Sequence, residues 1–170
     1  MSQLRTRQRA LALAATLLFT TTASIAAAIE LSFEPSLTGT PMSPISANSF
    51  QWGVGVGISR SSDGTVTASR PSLSDITWTQ AFGSSYNPLS AALVTERRFA
   101  STFDFFTGPG RSDPYLQVKT GASALTALSI ASGGDRPTVS ASEAFATVEF
   151  DYSDPLRGGS NTVRYSASDH

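Results

Sequence analysis

Ser49-Phe50-Gln51-Trp52-Gly53-Val54-Gly55-Val56-Gly57-Ile58-Ser59 alternates without a break between an apolar residue and a small or polar one. Successive side chains of a β-strand point to opposite faces. The pattern therefore predicts one strand with Phe50, Trp52, Val54, Val56 and Ile58 on a buried face. Ser49, Gln51, Gly53, Gly55, Gly57 and Ser59 fall on the other face. The glycines do not read as a phosphate loop. They recur at every second position inside a strand, no helix follows, and no Gly-Lys-Ser/Thr is present. Three glycines on one strand face instead let another backbone or a neighbouring subunit approach closely.

The same period of two recurs on both sides of this stretch. Ile29, Leu31 and Phe33 alternate with Glu30, Ser32 and Glu34. Ile76 and Trp78 alternate with Asp75, Thr77 and Thr79, while Leu73 is out of phase, which predicts a bulge near Ser74. Phe99, Ser101, Phe103 and Phe105 share a face opposite Arg98, Thr102 and Asp104. Leu116 and Val118 open another strand, and Leu125, Leu128 and Ile130 belong to a less regular one. Val148, Phe150 and Tyr152 oppose Thr147, Glu149 and Asp151. Turn chemistry separates the runs at Ser61-Ser62-Asp63-Gly64, Gly108-Pro109-Gly110, Asp113-Pro114 and Gly133-Gly134-Asp135. Short strands spaced by such turns indicate a mainly β fold, a barrel or two-sheet sandwich. One segment departs from the pattern. Asn87 can cap a helix with Pro88 at its first position, where a missing N–H costs nothing. Leu89, Ala92 and Leu93 follow at helical spacing, so a short amphipathic helix is expected from Pro88 to about Arg97.

Composition narrows the chemistry. The chain has 170 residues, no cysteine, one histidine (His170, the last residue) and a formal charge of −1. Disulfides and thiolate chemistry are excluded. A Ser-His-Asp triad lacks an internal base, and no strongly basic balance points to nucleic acid. Residues 1–28 read as a secretory signal peptide. Arg5, Arg7 and Arg9 precede an apolar run, and Ala26-Ala27-Ala28 fits a small-x-small cleavage site. Cleavage leaves 9 basic against 13 acidic residues, a mildly acidic mature chain. The domain is expected over 29–154, followed by a flexible tail over 155–170 that contains Pro155, Gly158 and Gly159.

Each remaining feature has a bland reading that outweighs the chemical one. Glu149 and Asp151 share a strand face about 7 Å apart by strand rise, a separation within the range of inverting glycosidases. Outward acids on a half-buried strand are more often simply solvated. Asp75, Asp104, Asp113 and Asp135 form no Asp-x-Asp-x-Asp-Gly calcium loop. Trp52 and Trp78 could stack on sugars, but both sit in phase with aliphatic neighbours and read as core. Phe106 falls out of phase with Phe103 and Phe105, so the strand from Phe99 to Phe106 needs two-sided burial or a subunit contact. No residue is assigned a catalytic, cofactor-binding or metal role.

The order of these pieces resembles the haemolysin-coregulated protein (Hcp) family, the tube subunits of type VI secretion systems. Ser49-Phe50-Gln51-Trp52-Gly53-Val54 is similar to the family's Ser-Phe-x-Trp-Gly strand. Leu73-Ser74-Asp75-Ile76-Thr77-Trp78-Thr79-Gln80 is similar to its Phe-Ser-Asp-Leu-Thr-Phe-Thr-Lys segment. Asn87-Pro88-Leu89 falls where the family opens its single helix. Tyr115-Leu116-Gln117-Val118-Lys119 and Thr147-Val148-Glu149-Phe150-Asp151-Tyr152 match its two later strands. The resemblance implies a β-barrel-like pair of sheets flanked by one short helix. It also implies a hexameric ring that stacks into a tube and accompanies secreted effectors, with no catalytic residues. The signal peptide, the longer tail and the Ala/Ser/Thr-rich Thr120–Ser129 segment depart from the family pattern. The first functional expectation is thus an exported, non-enzymatic, ring-forming structural protein, periplasmic or secreted, that meets a membrane only through its signal peptide. The alternative is a monomeric exported module that binds a glycan or a cell-surface protein. A hydrolase built on Glu149 and Asp151 is the weakest reading.

Overall fold

The computed structural model describes residues 28–34, 42–107, 113–154 and 158–167. The expected signal peptide lies outside this set except for Ala28. Nine strands form one antiparallel sheet in the order β10-β11-β7-β2-β1-β8-β9-β12-β13. Their ranges are β1 (Ala28–Glu34), β2 (Ile45–Gln51), β7 (Ile76–Ala81), β8 (Ala100–Phe106), β9 (Leu116–Gly121), β10 (Ala124–Ala131), β11 (Thr138–Ala144), β12 (Thr147–Ser153) and β13 (Ser160–Ser166). Four short strands lie outside the sheet: β3 (Val54–Gly55), β4 (Ile58–Arg60), β5 (Val66–Ala68) and β6 (Ser72–Leu73). The helix α1 spans Tyr86–Val94. The mainly β architecture, with one short helix among the described residues, agrees with the sequence reading.

The sheet rolls because two consecutive strand pairs turn the same corner. β9 pairs with β8 and β12, whereas β10 pairs with β11. Gly121 stands opposite Thr147 on one side of the corner and Ala124 opposite Ala144 on the other. Ala122, between them, adopts a left-handed φ of 51°. A Cβ on Gly121 would lie 2.6 Å from Thr147 Oγ1, so any larger residue at the corner must displace that hydroxyl. The bridge between Phe99 and Ser123 then ties the start of β10 back to the start of β8. The result is a barrel-like wrap around one core.

Inward residues follow the predicted period. Leu31, Ile76, Trp78, Phe103, Val118, Val139, Ala141 and Val148 are fully buried. Aromatic rings fill the centre edge to face. Phe33 meets Phe99 at 5.2 Å, Phe50 meets Phe103 at 4.9 Å, and Trp78 meets Phe103 at 5.6 Å. Such pairs add about 0.5–1.5 kcal/mol each beyond burial. The Phe-rich strand is therefore spent on the core. β8 is paired on both edges, by β1 and β9, and Phe99, Phe103 and Phe105 are buried.

α1 begins two residues earlier than expected. Ser85, not Asn87, precedes it, and its hydroxyl accepts from Gln80 Nε2 at 2.8 Å instead of capping the helix. Pro88 thus occupies the third helical position, still within the first turn, where no intrahelical bond is lost. The helix stops at Val94, short of Arg97. Arg97 N–H bonds to Ala92 C=O and Glu96 N–H to Leu93 C=O, the paired bonds of a Schellman end, with Glu96 at φ 51°. Leu89 and Ala92 are buried against the core. Gln80, fully buried on β7, accepts from Trp78 Nε1 and so links the helix start to the sheet.

Three further expectations change. The opening stretch is not one strand, because its pairing with the main sheet ends at Gln51. The phase slip at Leu73 is not a bulge. Leu73 pairs with Val54 outside the sheet, and β7 starts afresh at Ile76. Bulges occur instead between Ala47 and Ser49 and between Leu125 and Ala127. Within the segment read as a tail, Ser160–Ser166 pairs along its whole length with β12 as β13.

Candidate functional site

The chain between Trp52 and Ser74 leaves the sheet as a long two-stranded ribbon. β3 pairs with β6, and farther out β4 pairs with β5. A turn at Ser61–Gly64 closes the tip, with Gly64 at φ 87° and Asp63 Oδ1 accepting from Thr65 N–H at 2.9 Å. That bond holds the Asp63 carboxyl below its ordinary range. The glycine face meets a serine ladder. Gly53 and Gly57 donate their N–H groups to Ser74 Oγ and Ser69 Oγ at 2.9 and 2.8 Å. These serines occupy the space that the glycines leave open, and at Gly57 a Cβ would meet Ser69 Oγ at 3.2 Å. The close approach expected of the glycine face is thus made by side chains of the ribbon's own return strand.

Among the described residues the apolar face of the ribbon has no cover, so the face expected to bury Val54, Val56 and Ile58 is exposed. Every residue from 54 to 70 is exposed. Val54, Val56, Ile58 and Val66 retain 48%, 46%, 66% and 52% of their surface. These β-branched side chains suit a strand, but a two-stranded ribbon alone is only marginally stable in water.

The residues singled out by sequence are dispersed. Trp78 is 1% exposed in the core. Trp52 stands at the root of the ribbon, half-buried, with Phe150 at 4.7 Å and Tyr165 of β13 at 5.5 Å. It braces the ribbon and the last strand instead of presenting a sugar-stacking face. Asp151 is engaged by Lys119 Nζ and Thr162 Oγ1, both at 2.6 Å. These donors, Lys119 first, hold its carboxyl below the ordinary range, and the same bond raises the Lys119 ammonium. A carboxylate tied this way is a poor nucleophile or base. Glu149 lies opposite Lys119 on β9 and Arg164 on β13. The two acids belong to a charged outer face, where Asp104 likewise accepts from Gln117 at 2.6 Å. Asp75 accepts from Thr126 at 2.8 Å, at the end of the β7–β11 pair opposite the turn that holds Asp135. Among the described residues, no three acidic or histidine side chains converge as metal ligands. A hollow of about 320 Å³ near the start of α1, lined by Met42, Ser43, Gly83, Ser84 and Pro88, has no charged wall.

One buried group escaped the sequence reading. Glu143 of β11 is fully buried. It lies in phase with Val139 and Ala141, and that phase is the only signal the sequence offers for it.

No protein-family model matches the chain, and no curated protein matches it in sequence. Solved structures do match in fold. One is described as a type six secretion system protein. It superposes with a TM-score of 0.71 at 18% identity, over 85% of this chain and 98% of its own. Hcp1 from Salmonella typhimurium gives 0.65 at 13% identity over 85% and 97%. Hcp3 from Pseudomonas aeruginosa, described as a secreted protein, gives 0.57 at 11% over 82% and 99%. The fold is Hcp-like across nearly the full length of those proteins.

Proposed function

We propose that this protein is a non-enzymatic structural subunit, exported through its signal peptide, that assembles with copies of itself into rings or tubes able to carry or accompany secreted effectors. The Hcp-like fold supports the class of protein. The exposed apolar ribbon carries the assembly reading, because its stripe of Val54, Val56, Ile58 and Val66 lacks any partner within the described chain. Contact with a second subunit would remove that stripe from water at about 25 cal/mol per Å². Closed rings of identical subunits need a surface that reaches a neighbour, and a projecting arm supplies reach. β8, buried within the sheet, is left to stability.

The experiment is native mass spectrometry of the protein over a concentration series, with Ile58→Asp beside it. A six-subunit species that the substitution dissociates supports the proposal. A strict monomer at high concentration contradicts it and shifts the reading to a monomeric binding module.

A further inference from the structure

Glu143 sits where the roll of the sheet closes, and its surroundings suit a neutral carboxyl better than an anion. Its neighbours in register are Ile76 of β7 and Leu125 of β10. From across the roll, Ser101 of β8 donates its hydroxyl to Glu143 Oε1 at 2.6 Å. Ser101 Oγ lies 2.8 Å from Thr120 Oγ1 of β9, which also accepts from Ser101 N–H at 3.0 Å and Ser123 Oγ at 2.8 Å. Ser101, Thr120 and Ser123 are all buried. The chain of hydroxyls thus joins β11, β8, β9 and the β9–β10 corner through one carboxyl.

The other oxygen, Oε2, is buried and has no hydrogen-bond partner among the described residues. A carboxylate offers about four acceptor sites, and a buried anion with one of its two oxygens unpartnered is costly. The charged groups around it do not help. Asp75, just before β7, is an acid whose field disfavours a second negative charge, while β8, β9 and the corner contribute only hydroxyls. The ion pair between Lys119 and Asp151 points to the outer face. Because Thr120 Oγ1 already accepts twice, its own hydroxyl is left to donate to Ser101 Oγ and Ser101 to Glu143 Oε1, so a proton on the unpartnered Oε2 neutralises the carboxyl and leaves this chain of hydroxyls in place.

We infer that Glu143 is a built-in proton site that latches the closed roll of the sheet, holding β11 to β8 and β9 when protonated and loosening that seam when ionised. Burial is the largest cause of a carboxyl pushed up to about 7, only partly offset by the Ser101 and Thr120 hydroxyls. A folded-state value above the unfolded one means that the folded chain keeps a proton the unfolded chain has lost. Stability is then full below about 4.5, falls as pH rises, and levels off above about 7. Asp151 and Asp63, whose carboxyls are lowered, act with the opposite sign and below about 3.8.

The test compares urea unfolding of the protein and of Glu143→Gln from pH 4.5 to 7.5. The expected result is an unfolding constant that rises by roughly two orders of magnitude in the parent across this window, with most of that rise absent in Glu143→Gln. Other groups titrating in the window cancel in the comparison. Parallel profiles for the two proteins would overturn the inference. Should the variant fail to fold, the side-chain carboxyl carbon signal of Glu143 in the parent, followed by NMR against pH, decides. A midpoint well above 5 supports the latch, and a midpoint near 4.5 sinks it.

Discussion

The ribbon from Gly53 to Ser74 and the strand β8 show the same alternation in sequence and meet opposite fates. Phe103 is fully buried, whereas Ile58 keeps 66% of its surface. Period two states that a strand has two different faces. It does not state that either face is covered. β8 is covered because β1 and β9 pair with its edges while Trp78 and Phe50 close over its inner side. Among the described residues the ribbon pairs only with itself, so its apolar face stays open to solvent. An uncovered strand of good β-formers is thus better evidence of a partner than a greasier strand that the fold itself consumes.

This contrast can be broken or sharpened by substitution. Phe103→Ala removes the ring at the centre of the edge-to-face cluster and should cost about 3–5 kcal/mol of unfolding free energy by urea denaturation. A cost below about 1 kcal/mol would show that β8 is not the core strand described. At the corner, Gly121→Val should destabilise by about 1–3 kcal/mol, because its side chain must displace the Thr147 hydroxyl. Glu96→Gly relaxes a left-handed residue at the helix end, and its thermal midpoint should rise by the equivalent of about 0.5–1 kcal/mol. Lys119→Ala breaks a partly exposed ion pair and should shift stability by less than about 1 kcal/mol at moderate salt. Ile58→Ser should change the stability of the isolated subunit least, within about 0.5 kcal/mol, while weakening self-association measured by sedimentation.

Much of the sheet was legible because its core strands mix large apolar and polar residues in strict alternation, as in Ile76-Thr77-Trp78-Thr79 and Phe103-Asp104-Phe105. β11 was not legible. In Thr138-Val139-Ser140-Ala141-Ser142-Glu143-Ala144 the inward positions are Val139, Ala141 and Glu143, so the apolar signal is weak and the inward face ends in an acid. Only the third dimension supplies the hydroxyls that make that acid tolerable. β13 was only half legible: Thr162–Tyr165 offers a short terminal strand, but Pro155 and Gly158-Gly159 just before it favour a tail, and in the fold they mark a turn and not the end of structure. The ribbon failed as a reading for a different reason. Its alternation is real, but pairing leaves the main sheet after Gln51, and nothing local in Trp52-Gly53-Val54 announces that departure. The carboxylates of Glu149 and Asp151 do share a face, as their spacing requires. Their setting among Lys119, Thr162 and Arg164 depends on register with β9 and β13, which spacing along one strand does not contain.

We propose that the ribbon, and not the Phe-rich strand, carries self-association. Light scattering on the protein and on the Val56→Asp, Ile58→Asp double variant, at matched concentrations and with folding checked by circular dichroism, tests it most directly. The account predicts a multi-subunit ring for the parent and a folded monomer for the variant. Equal masses for the two proteins would contradict it.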